Sequence, residues 1–129
     1  MPKLTALVYT HNDALRLGRL LESLRPCDEI LVIDDCSDDD TVRVVREYAA
    51  TLKQTIPGVH PGAYVVDAAH DWVLCLAPNE SLSEELEAAL FEWKHAEAEE
   101  TAACFCFEIC EENEQGWHQL GSEVRLVNR

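Results

Sequence analysis

Residues 27–50 read CDEILVIDDCSDDDTVRVVREYAA. Within them, EILVID is an unbroken apolar run closed by an acid, the pattern of a strand covered on both faces in a parallel sheet. An acidic turn follows. In DDTVRVVREYAA, Val42, Val45 and Tyr48 or Ala49 then recur at helical spacing. Ser37, with Asp40 three residues on, has the spacing of a capping box, with Asp in place of the usual Glu. A strand passing through a short polar loop into an amphipathic helix is a β–α unit, and such units specify an α/β fold.

The same alternation extends both ways. Toward the N-terminus, KLTALVY reads as a first strand. Asn12 or Asp13 is placed to cap a helix whose buried stripe is Leu17, Leu20, Leu21 and Leu24, with Pro26 closing it. Toward the C-terminus, residues 51–62 carry two Pro–Gly pairs and read as a weak strand and a loop. AYVVDAA reads as a short helix and DWVLCL as another buried strand. SLSEELEAALFEWKH reads as a helix with Leu82, Leu86, Leu90 and Trp93 on its core face. The last third changes character: TAACFCFEIC alternates as a strand, EENEQG turns, and WHQL and EVRLVN pair back as two short antiparallel strands. The expected fold is a three-layer α/β/α sandwich with a mixed, mainly parallel sheet. Residues 1–129 form one domain, an α/β part over 1–100 and antiparallel strands over 101–129.

The chain has 129 residues, with 10 Lys plus Arg against 25 Asp plus Glu, a formal net charge of −15. Phosphate-backbone binding needs a basic surface, so nucleic acid is excluded as a partner. Adhesion to anionic membranes is disfavoured too. No apolar run approaches the ~18 residues that span a bilayer. The N-terminus lacks the long apolar stretch of a signal peptide, so a cytoplasmic location is expected. Six cysteines stand at 27, 36, 75, 104, 106 and 110, and free thiols are expected in that compartment. Cys104, Cys106 and Cys110 share one strand face, opposite Phe105, Phe107 and Ile109. No His or second Cys pair lies at finger spacing, so a packed strand face is favoured over zinc.

Ligands of open α/β sheets bind beyond the carboxyl ends of the strands. Three loops occupy that edge: YTHND at 9–13, DDCSDDD at 34–40 and APNE at 77–80. Each has a plain alternative. Thr10, Asn12 and Asp13 are capping residue types, and Asp34 and Asp35 suit a helix N-terminus. The glycine-rich fingerprints of dinucleotide sites and P-loops are absent.

LTALVYTHNDALRLGRLLESLRPCDEILVIDDCSDDDTVRVVREYAA resembles the opening of the family-2 glycosyltransferases, which have the GT-A, nucleotide-diphospho-sugar transferase fold. HDWVLCLAPNESLSEELEAAL and GWHQLGSEVRLVNR resemble later pieces of the same family. The resemblance implies transfer of a sugar from a nucleotide-diphospho-sugar. It places Tyr9, Thr10, His11 and Asp35, with Asp34 beside it, around the nucleotide base and ribose. An aromatic or imidazole ring stacks on a base, and a carboxylate accepts from a uracil-type N–H. Asp34, Asp35, His11 and Asn79 are expected to converge at one edge of the sheet.

The family's D-x-D, which holds a divalent cation (Mg²⁺ or Mn²⁺) against the diphosphate, falls on Ala77, Pro78 and Asn79. Ala77 has no side-chain oxygen, Asn79 is neutral, and Glu80 is the remaining carboxylate. Asn79 and Glu80 are thus the candidate metal ligands, a weak pair for a hard cation. An inverting transfer needs a carboxylate base, which the family supplies from a region beyond its RLFRR segment, and this chain stops at Arg129. Asp67 and His118 are nominal substitutes that read as surface residues. The resemblance therefore implies a glycosyltransferase-like domain with impaired or no independent catalysis. Two other readings stand beside it: a non-catalytic nucleotide-binding or regulatory module, and a partner-binding or homo-oligomeric subunit that pairs through its C-terminal antiparallel strands.

Overall fold

The computed structural model describes residues 2–96 and 104–128. In chain order its elements are β1 (Leu4–Thr10), α1 (Ala14–Glu22), β2 (Glu29–Asp34), α2 (Thr41–Glu47), β3 (Thr51–Gln54), a 3-10 helix (Pro61–Asp67), β4 (Trp72–Leu76), α3 (Glu84–His95), β5 (Cys104–Asn113) and β6 (Gly116–Asn128). The six strands form one sheet in the order β3-β2-β1-β4-β6-β5. β1, β2, β3 and β4 are parallel, and β6 runs antiparallel to β4 and β5. The mixed, mainly parallel sheet is the expected one.

Side-chain alternation sorts the core onto two faces. Leu4, Ala6 and Val8 of β1, Val32 of β2, Trp72 and Leu74 of β4 and Leu126 of β6 pack against Leu17, Leu20 and Leu21 of α1, Val45 of α2 and Leu90 of α3. On the other face, Leu7, Leu31, Ile33 and Val73 pack against Tyr64 and Ala68, in and after the 3-10 helix. All three α-helices therefore cover one side and the 3-10 segment covers the other, giving three unequal layers. No helix among the described residues is long and apolar enough to cross a membrane.

Several local expectations are corrected. Asp13 occupies the N-cap position of α1 but makes no side-chain cap bond. Its carboxylate instead accepts from the Thr10 hydroxyl at 2.7 Å, from the His11 N–H at 2.9 Å and from Arg16. Ser37 and Asp40 do not form a capping box, and Asp40 precedes α2 without a side-chain cap bond. The Ser37 hydroxyl is drawn to Asp34, because a fully buried carboxylate requires donors. α1 stops at Glu22, ahead of Pro26, with Ser23 as its C-cap residue.

WHQL and EVRLVN are not two strands but parts of one, β6, which pairs with β5 along its length. Register shifts between Phe105 and Cys106 and between Ile109 and Cys110 leave one extra residue on β6 each time, Arg125 and Leu120, while Gly121 and Ser122 stay paired with Ile109 and Glu108. The first three residues of the expected strand TAACFCFEIC, and the acidic run before them, lie outside the described residues. Cys104, Cys106 and Cys110 are exposed rather than packed. The 3-10 layer rests on β1, β2 and β4, so that face of the outer hairpin is left open.

Candidate functional site

Strand register aligns the loops. Thr10 of β1 stands opposite Asp34 of β2, and Val8 of β1 opposite Leu76 of β4. The parallel strands β1, β2 and β4 thus release the segments 9–13, 34–40 and 77–80 at one edge of the sheet, as expected from sequence.

The first two loops are stitched together. The Asp35 N–H donates to the Thr10 carbonyl at 2.8 Å, and the Asn12 N–H to the Ser37 hydroxyl at 2.9 Å. The Asp38 N–H donates to the Asn12 side chain at 2.9 Å, and the Asp13 N–H to the Thr41 hydroxyl at 2.9 Å. The His11 Nδ1 lies 2.5 Å from the Asp35 carbonyl oxygen. A carbonyl only accepts, so Nδ1 carries the proton, and Nε2 lies 3.3 Å from the Asn12 side-chain nitrogen. Asn12 and Cys36 both adopt φ of 51°, in the left-handed region. Asn tolerates this; for Cys it is a strained turn that the surrounding bonds hold.

The candidate residues divide by burial. Thr10 and Asp34 are inside. Asp34 accepts from the Ser37 N–H at 3.2 Å, from the Ser37 hydroxyl and from the Gln54 amide at 2.9 Å. Both residues therefore build the loops. Tyr9, His11 and Asp35 are the accessible members. Asp35 accepts from the Thr55 hydroxyl at 2.9 Å. Burial, and then the Asp35 charge, push the Tyr9 phenol above its ordinary value, so it remains a neutral ring.

Tyr9 lies on the sheet face opposite the α-helices and lines a cavity of about 380 Å³ with Leu7, Ile33, Val65, Cys75 and Arg125, closed by Ala77 and Pro78. A second cleft of about 430 Å³ lies between the 77–82 segment and the β5–β6 hairpin, and Asn79 and Glu80 belong to its lining. Arg125 lines both. Its guanidinium forms a two-point pair with Glu80, Nη1 to Oε1 at 2.6 Å and Nη2 to Oε2 at 2.9 Å. Glu80 Oε1 also accepts from the Ala77 N–H at 2.7 Å.

The loop as arranged does not fit a divalent cation. Hard cations take several oxygens, more than one of them charged in a tight site, whereas the carboxylate of residues 77–80 is committed to a guanidinium. Among the described residues, no group of three or more His, Cys, Asp or Glu converges as a metal site. Asp67, a nominal base, sits 3.1 Å from Lys53 Nζ in an ion pair. Sequence alone points to no role for Arg125, although it stands in GWHQLGSEVRLVNR, one of the segments that resemble the family.

Residues 5–61 match the sequence model of Glycosyl transferase family 2. A curated relative from Rickettsia felis, described as an uncharacterized glycosyltransferase, is 32% identical over 91 residues, covering 67% of this chain and 32% of its own. The chain thus spans about a third of the length of the curated relatives it matches. The crystal structure of S. aureus TarS 1–349 in complex with UDP superposes with a TM-score of 0.55 at 26% identity, over 72% of this chain and 32% of that one. Glucosyl-3-phosphoglycerate synthase from Mycobacterium tuberculosis, in complex with Mn²⁺, UDP and glucosyl-3-phosphoglycerate, shares the fold with a TM-score of 0.53 at 17% identity, over 62% of this chain and 36% of that one.

Proposed function

The chain belongs to the family-2 glycosyltransferases of GT-A fold, and from that premise we propose that it binds a nucleotide-diphospho-sugar of the UDP class at the 9–13 and 34–40 loops without completing sugar transfer by itself. One observation carries this reading: the two loops are cross-bonded beside a cavity that Tyr9 enters from β1. In this reading the Tyr9 ring and the His11 imidazole offer stacking surfaces, and the Asp35 carboxylate accepts from the base or ribose. Thr10 and Asp34 act from inside by fixing the loop conformation. The likeness to a UDP-bound TarS structure supports the choice of nucleotide. The pairing of Glu80 with Arg125 and of Asp67 with Lys53 leaves neither carboxylate free as a base or metal ligand, which supports binding without independent transfer.

Calorimetric titration with a panel of nucleotide-diphosphate sugars, with and without Mn²⁺, tests this. UDP-sugars are expected to bind, Tyr9→Ala to weaken them about tenfold or ~1.4 kcal/mol, and no transferred sugar to accumulate. A wild-type protein that binds none of the panel overturns the reading. A second reading, a protein-interaction module, then takes its place. It is favoured by β5 at the sheet edge and by exposed Trp117, Leu120 and Val124 on β6.

A further inference from the structure

The guanidinium of Arg125 has five N–H groups, and all of them face acceptors. Nη1 donates to Glu80 Oε1 at 2.6 Å and to the Cys75 carbonyl at 3.3 Å. Nη2 donates to Glu80 Oε2 at 2.9 Å and lies 2.6 Å from Glu123 Oε2, while Nε donates to the same Glu123 oxygen at 2.8 Å.

The two carboxylates hold it unequally. Glu80 is 20% exposed, engages both of its oxygens and is itself fixed by the Ala77 N–H. Glu123 is 59% exposed and presents one oxygen to two donors. Exposed ion pairs contribute little to stability, so the Nε/Nη2 edge is the exchangeable side. Two N–H groups on one edge of a guanidinium form the fork that takes two oxygens of a phosphate, shorter and stronger than neutral hydrogen bonds.

The cavity shared with Tyr9 supplies the setting. Among the described residues Arg125 is the one charged member of its lining, and the other walls are apolar apart from the Tyr9 phenol and the Cys75 thiol. Glu80 and Glu123 already pair with this charge, so an anion entering beside Tyr9 gains the guanidinium only by displacing the more exposed Glu123, in a setting whose low-dielectric walls screen the new contact weakly. We propose that Arg125 is the phosphate-binding cation of this site: its Nε/Nη2 edge, held in the free protein by Glu123, takes the diphosphate of the nucleotide without a divalent metal. The Glu80 pair keeps the guanidinium in place while Glu123 leaves. The inference rests on the nucleotide reading above and deepens it.

Calorimetry with inorganic pyrophosphate, UDP and uridine in EDTA, then in Mn²⁺, tests it on the wild type, Arg125→Gln and Glu123→Gln. In EDTA the wild type is expected to bind pyrophosphate and UDP, with Mn²⁺ changing either affinity less than threefold. Arg125→Gln is expected to weaken both at least tenfold and leave uridine unchanged. Glu123→Gln, which weakens the internal competitor, is expected to tighten both at least threefold. Wild-type binding that needs Mn²⁺, no pyrophosphate binding in EDTA, or an Arg125→Gln protein with wild-type pyrophosphate affinity overturns the proposal. If Arg125→Gln does not fold, Glu123→Gln without any tightening overturns it. Pyrophosphate binding that depends on Arg125, with UDP no tighter than pyrophosphate and uridine unbound, upholds the phosphate site and refutes the nucleotide reading.

Discussion

Lys94, near the end of α3, places its Nζ 2.7 Å from Asp28 Oδ2 and 2.8 Å from the Pro26 carbonyl, and only 6% of the residue is exposed. Asp28 also accepts from the Leu4 N–H at 2.8 Å. The pair ties the C-terminal half of α3 to the start of β1 and the segment that enters β2.

Breaking a buried pair from one side leaves the other charge stranded. Asp28→Asn is expected to cost about 3 kcal/mol, because the ammonium stays inside. Lys94→Met is expected to cost about 1–2 kcal/mol, because Asp28 is nearer water. Urea melts at pH 7 measure both.

Burial alone raises the Asp28 carboxyl, but the bond and charge of Lys94 and the Leu4 N–H outweigh it and hold the group below its ordinary value. Asp13 is depressed in the same way: burial raises it, and Thr10, the His11 N–H and Arg16 lower it further than that. A depressed carboxyl stabilises the fold above its unfolded value of about 3.9, and the contribution is lost as pH falls through the folded value. Wild-type stability should therefore fall as pH drops below about 4. The slope should be smaller in Asp28→Asn, as read from denaturation midpoints between pH 7 and pH 3.

Adjacent aspartates should behave oppositely. Asp34→Ala strips a buried acceptor from Ser37 and Gln54 and is expected to cost about 1–3 kcal/mol. Asp35→Ala and His11→Ala sit at the accessible loop and are expected to cost under about 1 kcal/mol while weakening UDP binding by roughly 1–3 kcal/mol together. Thermal melts paired with calorimetry separate them. A large melting shift for Asp35→Ala with unchanged affinity would mark it as a structural residue only.

The outer hairpin is fastened through rings. Trp72 and Trp93 meet edge-on at 5.0 Å, and Phe105 of β5 lies 5.6 Å from Trp72 and 5.9 Å from Trp93. Phe105→Ala removes a half-buried ring from this cluster and is expected to cost about 2–3 kcal/mol. Loss of near-ultraviolet dichroism from the two tryptophans, with an intact far-ultraviolet spectrum at low denaturant, is the expected sign.

Thiol reactivity should follow exposure. Cys36, Cys104, Cys106 and Cys110 are exposed, and thiolates attack only where they form and can be reached. Burial pushes Cys27 up to about 12, against the Lys94 charge, and raises Cys75 despite Arg125. In Ellman titration at pH 8, the four exposed thiols are expected to react first, Cys75, in the wall of the Tyr9 cavity, more slowly, and Cys27 only on unfolding.

The α/β order, the buried helix stripes and the three loops at one sheet edge could be read from sequence. They rest on local periodicity: period two or continuous apolarity for EILVID and DWVLCL, helical spacing for Leu17 to Leu24. The hairpin was legible as antiparallel but not as one strand, because GS at 121–122 looks like a break, whereas Gly121 and Ser122 pair with Ile109 and Glu108 and the irregularities fall on either side, at Leu120 and Arg125. Which acid does what was not legible. Asp34 and Asp35 are adjacent and chemically identical, and alternation across the strand end buries one and leaves the other accessible. Lys94 with Asp28, and Arg125 with Glu80, are 66 and 45 residues apart. With 25 acids in the chain, composition cannot choose partners for two cations. For Arg125 the order β1-β4-β6 does, because it lays Arg125 beside the end of β4 and on the lining shared with Tyr9; for Lys94 the packing of α3 against the segment before β2 does.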